Sequence, residues 1–201
     1  TGLGMDVPEA MPKALAKCSP PEVITSPALS LTARPGDRGI RSRKVAILVA
    51  DGVDGASVIA VQAALSAAGA LACIIAPRLG PVQTADGESV EASGTLENSP
   101  SVLFDALVMH EGGSGVSLLA GCGQTLEFLN NQYRHGKTIL ALGASKALLD
   151  KAGIANMLAS GRPDPGIVLA GVDTLEDGAA AFIAAAGQHR HPAREIDPPQ
   201  I

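Results

Sequence analysis

Short apolar runs alternate with longer segments of mixed polarity from residue 43 onward in this chain. The runs are too short for helices, and several contain β-branched residues, which favours buried strands. They predict strands at residues 45–50, 71–76, 106–109, 138–142 and 167–170. The segments between them predict helices at 56–68, within 116–134, at 145–151 and at 175–186.

This alternation of strand and helix determines the fold class that we expect. It indicates βαβ units, a parallel sheet and right-handed crossovers. We predict a three-layer α/β/α domain of the flavodoxin type with strand order 2-1-3-4-5. Residues 82–96, which alternate polar and apolar side chains around Asp86-Gly87, predict a small hairpin. Ligands of such sheets bind beyond the carboxyl ends of the strands, here at the loops 51–55, 110–115 and 143–146.

The first 43 residues differ from the rest in composition. Their prolines fix the backbone and remove amide donors, so we expect no regular element there. These prolines are Pro8, Pro12, Pro20, Pro21, Pro27 and Pro35. A short basic hinge then leads into the first strand. We therefore predict an extended linker at 1–43 and one folded domain at 44–201.

Composition narrows the classes of partner. Apolar residues make up 46% of the 201 residues, and Ala supplies much of that share, which suits helices packed closely on a parallel sheet. The aromatic residues are Phe104, Phe128, Tyr133 and Phe182, and Trp is absent. Single-stranded nucleic acid needs aromatic stacking platforms, and a net charge of −5 opposes binding to a phosphate backbone. We expect no nucleic-acid partner.

Residues 55–77 carry no charged side chain, which raises the question of a membrane span. A transmembrane helix needs about 20 predominantly apolar residues. This run is mostly Ala, is interrupted by Gly69 and includes Gln62 and Ser66. It fits a helix, a glycine stop and a buried strand better, so we expect no membrane partner. No secretory signal opens the chain, and the compartment, cytoplasmic or secreted, is left open.

The three cysteines do not predict a metal site or a disulfide framework. Cys18, Cys73 and Cys122 have no metal-ligand spacing and are odd in number. Cys122 lies between glycines in a predicted loop and is a candidate for redox chemistry. Its sequence neighbours include no cation that would favour a thiolate, so we interpret it as a structural thiol.

An apolar strand meets a helix through a sharp turn of small residues within 139–149. This layout is typical of a nucleophile elbow, in which a strained turn lifts one side chain above the sheet. Amide donors at the helix start would stabilise a thiolate or an oxyanion. Ser145 carries a hydroxyl in this turn, and we interpret it as a helix cap. The alternative, a serine hydrolase, would need a downstream histidine, and the candidates are His189 and His191.

Two further loops carry candidate chemistry. His110 and Glu111 follow the predicted third strand and could form an acid/base pair. Neighbours on a strand point to opposite faces, so we interpret them instead as a solvated loop edge. The glycine-rich loop at 112–115 is of a type that cradles phosphate, but no GxGxxG spacing follows the first strand.

Two adjoining segments resemble a known family. SPALSLTARPGDRGI at 26–40, with RKVAILVADGVDG at 43–55, is similar to the join between the catalytic body and the appended C-terminal domain of large-subunit haem catalases. The resemblance extends from Gly2 to the tail around His191. In that family the appended domain is flavodoxin-like and related to the DJ-1/PfpI and class I glutamine amidotransferase superfamily. A first residue Thr1 in place of Met fits a piece of a longer polypeptide.

The chain departs from the DJ-1/PfpI pattern at its reactive positions. In those relatives the elbow carries a Cys followed by His or Ala, and these positions fall on Gly143 and Ala144. The Glu that bonds the thiol falls at about Ser57. The third-strand motif, which ends in Pro-Gly-Gly in relatives, is replaced by His110-Glu111 in FDALVMHEGGSG. The resemblance with these departures implies a degenerate site, with no catalytic, cofactor-binding or metal-binding residue in this chain.

The resemblance implies hydrogen peroxide disproportionation for a parent protein, at a haem in an N-terminal body outside this chain. The resemblance implies that the domain itself is non-catalytic. Its role would be to stabilise a homotetramer through contacts with the N-terminal body and other subunits, to cover channel entrances, or to bind apolar surface of unfolded client proteins as chaperone-active DJ-1 relatives do. Two alternatives stay open. One is an independent DJ-1/PfpI-like amidase, protease or deglycase that uses Cys122 or Ser145. The other is a small-ligand binding module at the strand-end crevice.

Overall fold

A six-stranded parallel sheet forms the centre of the folded part of this chain. The computed structural model describes residues 9, 11, 12, 20, 22–24, 26–29 and 39–196. The chain divides into two units, Thr1–Ala33 and Arg34–Ile201. In the first unit Pro27–Leu29 form a short 3-10 turn. Most of the predicted linker at 1–43 lies outside the described residues, and its boundary stays a prediction.

The strands have the following bounds: β1 (Lys44–Leu48), β2 (Leu71–Ala76), β3 (Gly80–Gln83), β4 (Ser89–Ala92), β5 (Gly94–Thr95), β6 (Ala106–Met109), β7 (Thr138–Leu142) and β8 (Ile167–Ala170). The sheet has the order β5-β2-β1-β6-β7-β8, and all of its pairs are parallel. The five predicted strands and their order 2-1-3-4-5 are confirmed. The strand β5, which extends the edge next to β2, was not predicted because two residues leave no periodicity to detect.

The helices have the following bounds: α1 (Gly55–Ala67), α2 (Gly113–Ala120), α3 (Gly123–Arg134), α4 (Lys146–Lys151), α5 (Leu175–Gly187) and α6 (Ala193–Ile196). The predicted helical region 116–134 therefore contains two helices. They are separated at Gly121, whose amide closes α2, and at Cys122, whose backbone is extended. None of the described helices is long and apolar enough to cross a membrane.

Side chains of the sheet alternate between two apolar layers, which makes the fold a three-layer α/β/α domain of the flavodoxin type. In β1 and the residues that follow it, Val45, Ile47 and Val49 pack into the layer of α1 and α5. Their neighbours Ala46 and Leu48 pack into the layer of α2, α3 and α4. All five side chains are at most 1% exposed, which explains the uninterrupted apolar run of this strand.

The predicted hairpin is confirmed as β3 and β4, which pair antiparallel. Its turn contains Gly87, whose φ of +89° is a left-handed conformation that favours glycine. Gln83 accepts a hydrogen bond from the amide of Gly52 through its carbonyl oxygen, at 2.7 Å. The hairpin is thereby fixed to the loop that follows β1, at the carboxyl end of the sheet.

A buried ion pair lies at the opposite side of the sheet, at the amino-terminal ends of its parallel strands. Arg194 donates to both carboxylate oxygens of Asp164, at 2.7 and 3.1 Å. It also donates to the carbonyl oxygens of Tyr133 and Lys137, and its guanidinium lies 4.3 Å from the centre of the Tyr133 ring. The side chains of Arg194 and Asp164 are 5% and 0% exposed. This pair ties α6 to the residues that precede β7 and β8.

Two more titratable groups are buried beside this ion pair. His191 bonds the hydroxyl of Thr138 through Nε2 at 2.8 Å, and burial lowers the pKa of His191 to about 4. Lys137 donates to the carbonyl oxygens of Ser101 and Phe104, and burial lowers its pKa to about 8. We call the buried polar groups at the amino-terminal ends of the strands the amino-edge cluster: Lys137, Thr138, Asp164, His191 and Arg194.

Candidate functional site

The turn between β7 and α4 has the backbone of a nucleophile elbow. Gly143 follows the strand directly with a φ of +53°, and residues 143–145 form a 3-10 turn that leads into α4. In a nucleophile elbow, a left-handed residue at this point directs its side chain above the end of the sheet. The elbow that the sequence predicts is therefore present, with glycine in the position of the nucleophile.

The carboxylate of Glu111 occupies the space above Gly143. A Cβ atom placed on Gly143 would overlap Oε2 of Glu111. The same oxygen accepts a hydrogen bond from the amide of Ala144. Glu111 comes from the loop after β6, the neighbour of β7 in the sheet. The elbow is thus filled by a carboxylate from the adjacent loop, which sequence reasoning missed.

Ser145 is turned away from the surface of the elbow. It is 0% exposed, and its hydroxyl donates to the carbonyl oxygens of Leu142 at 2.8 Å and Met109 at 3.1 Å. The predicted side-chain cap on α4 is wrong, because the hydroxyl bonds the strand ends instead of a helix amide. The serine-hydrolase alternative is not assembled either. His191 lies at the amino edge on Thr138, at the other end of the strand that leads into the elbow.

His110 is buried beneath the first turn of α1. It is 2% exposed, so the predicted solvated loop edge is wrong for this residue. Its Nδ1 lies 2.9 Å from the hydroxyl of Ser57, which itself donates to the carbonyl of Asp54 at 2.9 Å. Because the single hydroxyl proton is used there, we assign the ring proton to Nδ1. Burial lowers the pKa of His110 to about 3, so the ring is neutral at physiological pH.

The other ring nitrogen of His110 has no partner. Nε2 is among the buried polar atoms without a hydrogen bond in the described part of the chain. His110 and Glu111 bond different elements, α1 and the elbow, as expected for neighbours that follow a strand. They do not form the acid/base pair that was considered from the sequence.

The start of α1 contributes no carboxylate to the elbow, because Ser57 takes the position of the relatives' Glu and Asp54 has another role. Ser57 is buried and bonds His110, while Asp54 caps the helix. One Asp54 oxygen accepts from the amides of Ala56 at 3.2 Å and Ser57 at 3.4 Å. This is the usual arrangement of an N-cap, and it directs the Asp54 carboxylate at the backbone of its own helix.

The glycine-rich loop at 112–115 packs against the loop that follows β1. A Cβ atom on Gly112 would overlap the carbonyl oxygen of Gly52, and one on Gly115 would lie 3.0 Å from the carbonyl oxygen of Ala50. The glycines therefore allow a close approach of two backbones. This contact accounts for the glycines at 112 and 115.

The thiols occupy separate environments. Cys73 is half-buried in β2, with its Sγ 3.8 Å from the carbonyl oxygen of Leu71. Cys122 is half-buried at the start of α3, with its Sγ 3.9 Å from Oε1 of Gln124. Cys122 also lines a cavity of about 770 Å³ beside the hairpin, a feature that sequence reasoning missed. Cys18 lies outside the described residues.

A haem iron is usually held by His, Cys or Tyr. His110 and His191 are buried and hydrogen-bonded, and Tyr133 is 2% exposed beneath Arg194. His135, after α3, is exposed, and His189, after α5, is half-buried. Cys122 lines the cavity beside the hairpin. Within the described ranges, no three His, Cys, Asp or Glu side chains come together to hold a metal ion.

Sequence comparison links the chain to one family. The model of the C-terminal domain found in long catalases matches residues 41–195. The catalase HPII of Pseudomonas putida is 34% identical over 193 residues, which cover 96% of this chain and 25% of that protein. Catalase C of Rhizobium meliloti is 34% identical over 189 residues, which cover 93% of this chain and 26% of that protein. The chain thus spans about a quarter of the length of these curated relatives.

Comparison of structures identifies the fold. A cysteine-to-alanine mutant of a DJ-1 superfamily protein from Salmonella typhimurium aligns with a TM-score of 0.62 at 21% identity, over 79% of this chain and all of that one. Oxidized DJ-1 of Toxoplasma gondii aligns with a TM-score of 0.63 at 19% identity, over 77% and 98% of the two chains. The elbow therefore sits on a DJ-1-like fold.

Proposed function

This chain belongs to the family of C-terminal domains found in long catalases, and we propose that it is a non-catalytic domain of a haem catalase that disproportionates hydrogen peroxide. The haem and its ligands belong to an N-terminal body outside the 201 residues of this chain. The relatives, of which the chain spans about a quarter, support this division.

The observation that carries the proposal is the state of the elbow. Thiol or serine chemistry needs a side chain at the top of the strand with a base beside it. Gly143 supplies no side chain, and the Glu111 carboxylate fills the space above it. The neighbouring imidazole of His110 is buried against Ser57. A DJ-1-like fold in this state retains the architecture of a catalytic site without its reactive groups.

We assign the domain a role in the assembly of its parent, through contacts with the N-terminal body and other subunits of a homotetramer. The outer side of α1 supports this role. The helix carries no charged residue, and Ile59 on its outer side is 60% exposed. Its exposed positions are mostly Ala, with Ser66 as the polar one. A helix whose outer side is uncharged and mostly apolar is usually covered in its functional state. The parent determines the compartment, and the acidic net charge of −5 argues against nucleic acid as a partner.

The same exposed apolar side chains favour client binding as a second role. Ile59, Leu79 and Leu118 are each more than half exposed. Exposed apolar side chains of this kind are available for contact with apolar segments of an unfolded chain. Suppression of the aggregation of an unfolding client by the chain supports this role, and an unchanged aggregation rate removes it.

The proposal is tested with the parent protein and with the 201-residue chain, side by side. We expect peroxide consumption from the parent alone, and no amide, ester or glyoxal turnover from the chain. Removal of residues 44–201 from the parent should keep activity per haem at low temperature and should speed thermal dissociation of the tetramer. Turnover by the chain that is lost in Ser145→Ala or Cys122→Ala would contradict the proposal. So would a truncated parent whose assembly is as heat-resistant as the intact one.

A further inference from the structure

The cavity of about 770 Å³ lies at the carboxyl ends of β1 and β2, away from the elbow. The hairpin of β3 and β4 forms one wall and the second half of α2 forms the other. The floor is apolar and consists of the buried side chains of Ala50, Ala76 and Val82. Ligands of open α/β sheets bind at this edge, and the volume lies within the range of about 300–1,000 Å³ that is usual for small-molecule sites.

Two large apolar side chains on opposite walls of this cavity are exposed to solvent. Leu79, between β2 and β3, is 65% exposed, and Leu118, on α2, is 54% exposed. Both line the cavity, so an aliphatic chain in it would cover the two side chains and the floor together. Burial of this apolar surface would favour binding of such a chain.

The charged side chains that line the cavity indicate which charge its ligand carries. Arg78 is exposed in the wall, and within residues 39–196 it has no hydrogen-bond or ion-pair partner. Asp51 also lines the cavity, and its Oδ1 accepts from the amide of Gln83 at 3.0 Å, which directs the carboxylate at the hairpin backbone but leaves its negative charge. Among the lining residues, the group that can pair with an anion is the Arg78 guanidinium, whose fork of donors matches a carboxylate held away from Asp51.

We propose that this cavity binds an aliphatic monocarboxylate. Its carboxylate pairs with Arg78, and its chain lies over the apolar floor between Leu79 and Leu118. This inference does not depend on the parent protein or its reaction, because the residues concerned all belong to this domain.

Octanoate is the probe, and the two half-buried thiols provide the readout. Cys122 lines the cavity whereas Cys73 lies in β2 and does not. In a Cys18→Ser background, saturating octanoate should slow the alkylation of Cys122 by iodoacetamide at least about tenfold and should leave Cys73 unchanged. Calorimetry should give one site per chain. Each methylene added between butanoate and octanoate should raise affinity about fourfold.

Two arginine variants distinguish binding of octanoate at Arg78 from non-specific electrostatic attraction to the protein surface. Arg78→Gln should weaken octanoate binding by about tenfold or more, the usual effect of losing a charge-assisted hydrogen bond. Arg134→Gln removes an exposed cation on α3, outside the cavity, and should leave the affinity unchanged. The alcohol octanol should bind more weakly than octanoate.

The proposal is overturned by any of three outcomes. They are the absence of saturable octanoate binding, equal protection of both thiols, and equal effects of the two arginine substitutions. If octanoate fails while the parent protein protects Cys122 by itself, the cavity is a contact surface for protein and not a ligand site.

Discussion

The two ends of β7 lie at the amino and carboxyl ends of the same parallel strands, and they differ in the charge that is buried there. At the amino end, Arg194 and Asp164 form a buried ion pair with further hydrogen bonds. At the carboxyl end, the elbow has a glycine where a nucleophile would stand, and the buried polar side chains of Ser145 and His110 are neutral. Buried polar atoms without a partner among the described residues occur at both ends, at Nε2 of His110 and at the hydroxyl of Tyr133. The buried charges are therefore concentrated away from the end where ligands of such sheets bind.

The elbow of this chain shows that the turn between β7 and α4 forms without a reactive side chain. Gly143 adopts the left-handed conformation of the turn. Glu111 accepts a hydrogen bond from the amide of Ala144 in the same turn. We therefore expect substitutions at the amino end to lower stability most, and substitutions at the elbow to lower it less while exposing the turn.

The largest effect is expected at the amino-edge cluster. Arg194→Ala leaves the Asp164 carboxylate buried without its partner, and we expect a loss of about 3–5 kcal/mol in the free energy of unfolding. Urea denaturation measures it. Lys146→Ala is the control, because it breaks an exposed pair with Asp150 beside the elbow and should cost less than about 1 kcal/mol. Similar losses in the two variants would refute the contrast between the edges.

The next effect concerns the filled elbow. Gly143→Cys forces a side chain into a left-handed position and onto Glu111, and should lower the free energy of unfolding by about 2–4 kcal/mol. Adding Glu111→Gly should recover part of the loss and expose a thiol at the elbow. The rate of its alkylation, compared with that of Cys73, measures the exposure. If Glu111→Gly brings no recovery, the carboxylate does not fill the elbow in solution.

The third effect is a dependence of stability on pH. His191 titrates at about 4 in the folded chain and near 6.5 when unfolded, so the unfolded state binds more protons between these values. Stability is therefore present above pH 6.5 and is lost as pH falls, with a slope of about 1.4 kcal/mol per pH unit for each such group. His110, which titrates at about 3, adds a second slope of the same sign. His191→Gln should remove its share of the slope while His110 keeps the other, and an unchanged slope would count against this account.

The smallest effect tests the hydrogen bond that Glu111 makes. Glu111→Ala should cost about 1 kcal/mol, because the Ala144 amide loses its acceptor, whereas Glu111→Gln keeps an acceptor and should cost less. Glu127→Ala, an exposed carboxylate on α3, is the matched control and should be nearly neutral. Thermal unfolding of the three variants gives the ranking. A ranking in which the control loses most would contradict the assignment.

Local patterns were sufficient to predict the five main strands, their order and the elbow. They were insufficient where a structure depends on side chains that are distant in sequence. Arg194 and Asp164 are separated by 30 positions, and no periodicity connects them. Glu111 and Gly143 lie on loops that follow neighbouring strands, and both depart from the DJ-1/PfpI pattern. These two departures were the signal from which their contact could have been predicted. The predicted loop at Cys122 is confirmed, because glycine on both sides interrupts the helical region there.

The Glu111 carboxylate above Gly143 also couples these two positions in any redesign of the domain. A cysteine placed at 143 alone meets the carboxylate and must displace it. Removal of the carboxylate alone leaves glycine at the elbow and supplies no thiol. We therefore expect the two substitutions to be non-additive, so that a thiol is installed at the elbow with least strain when both positions are changed together.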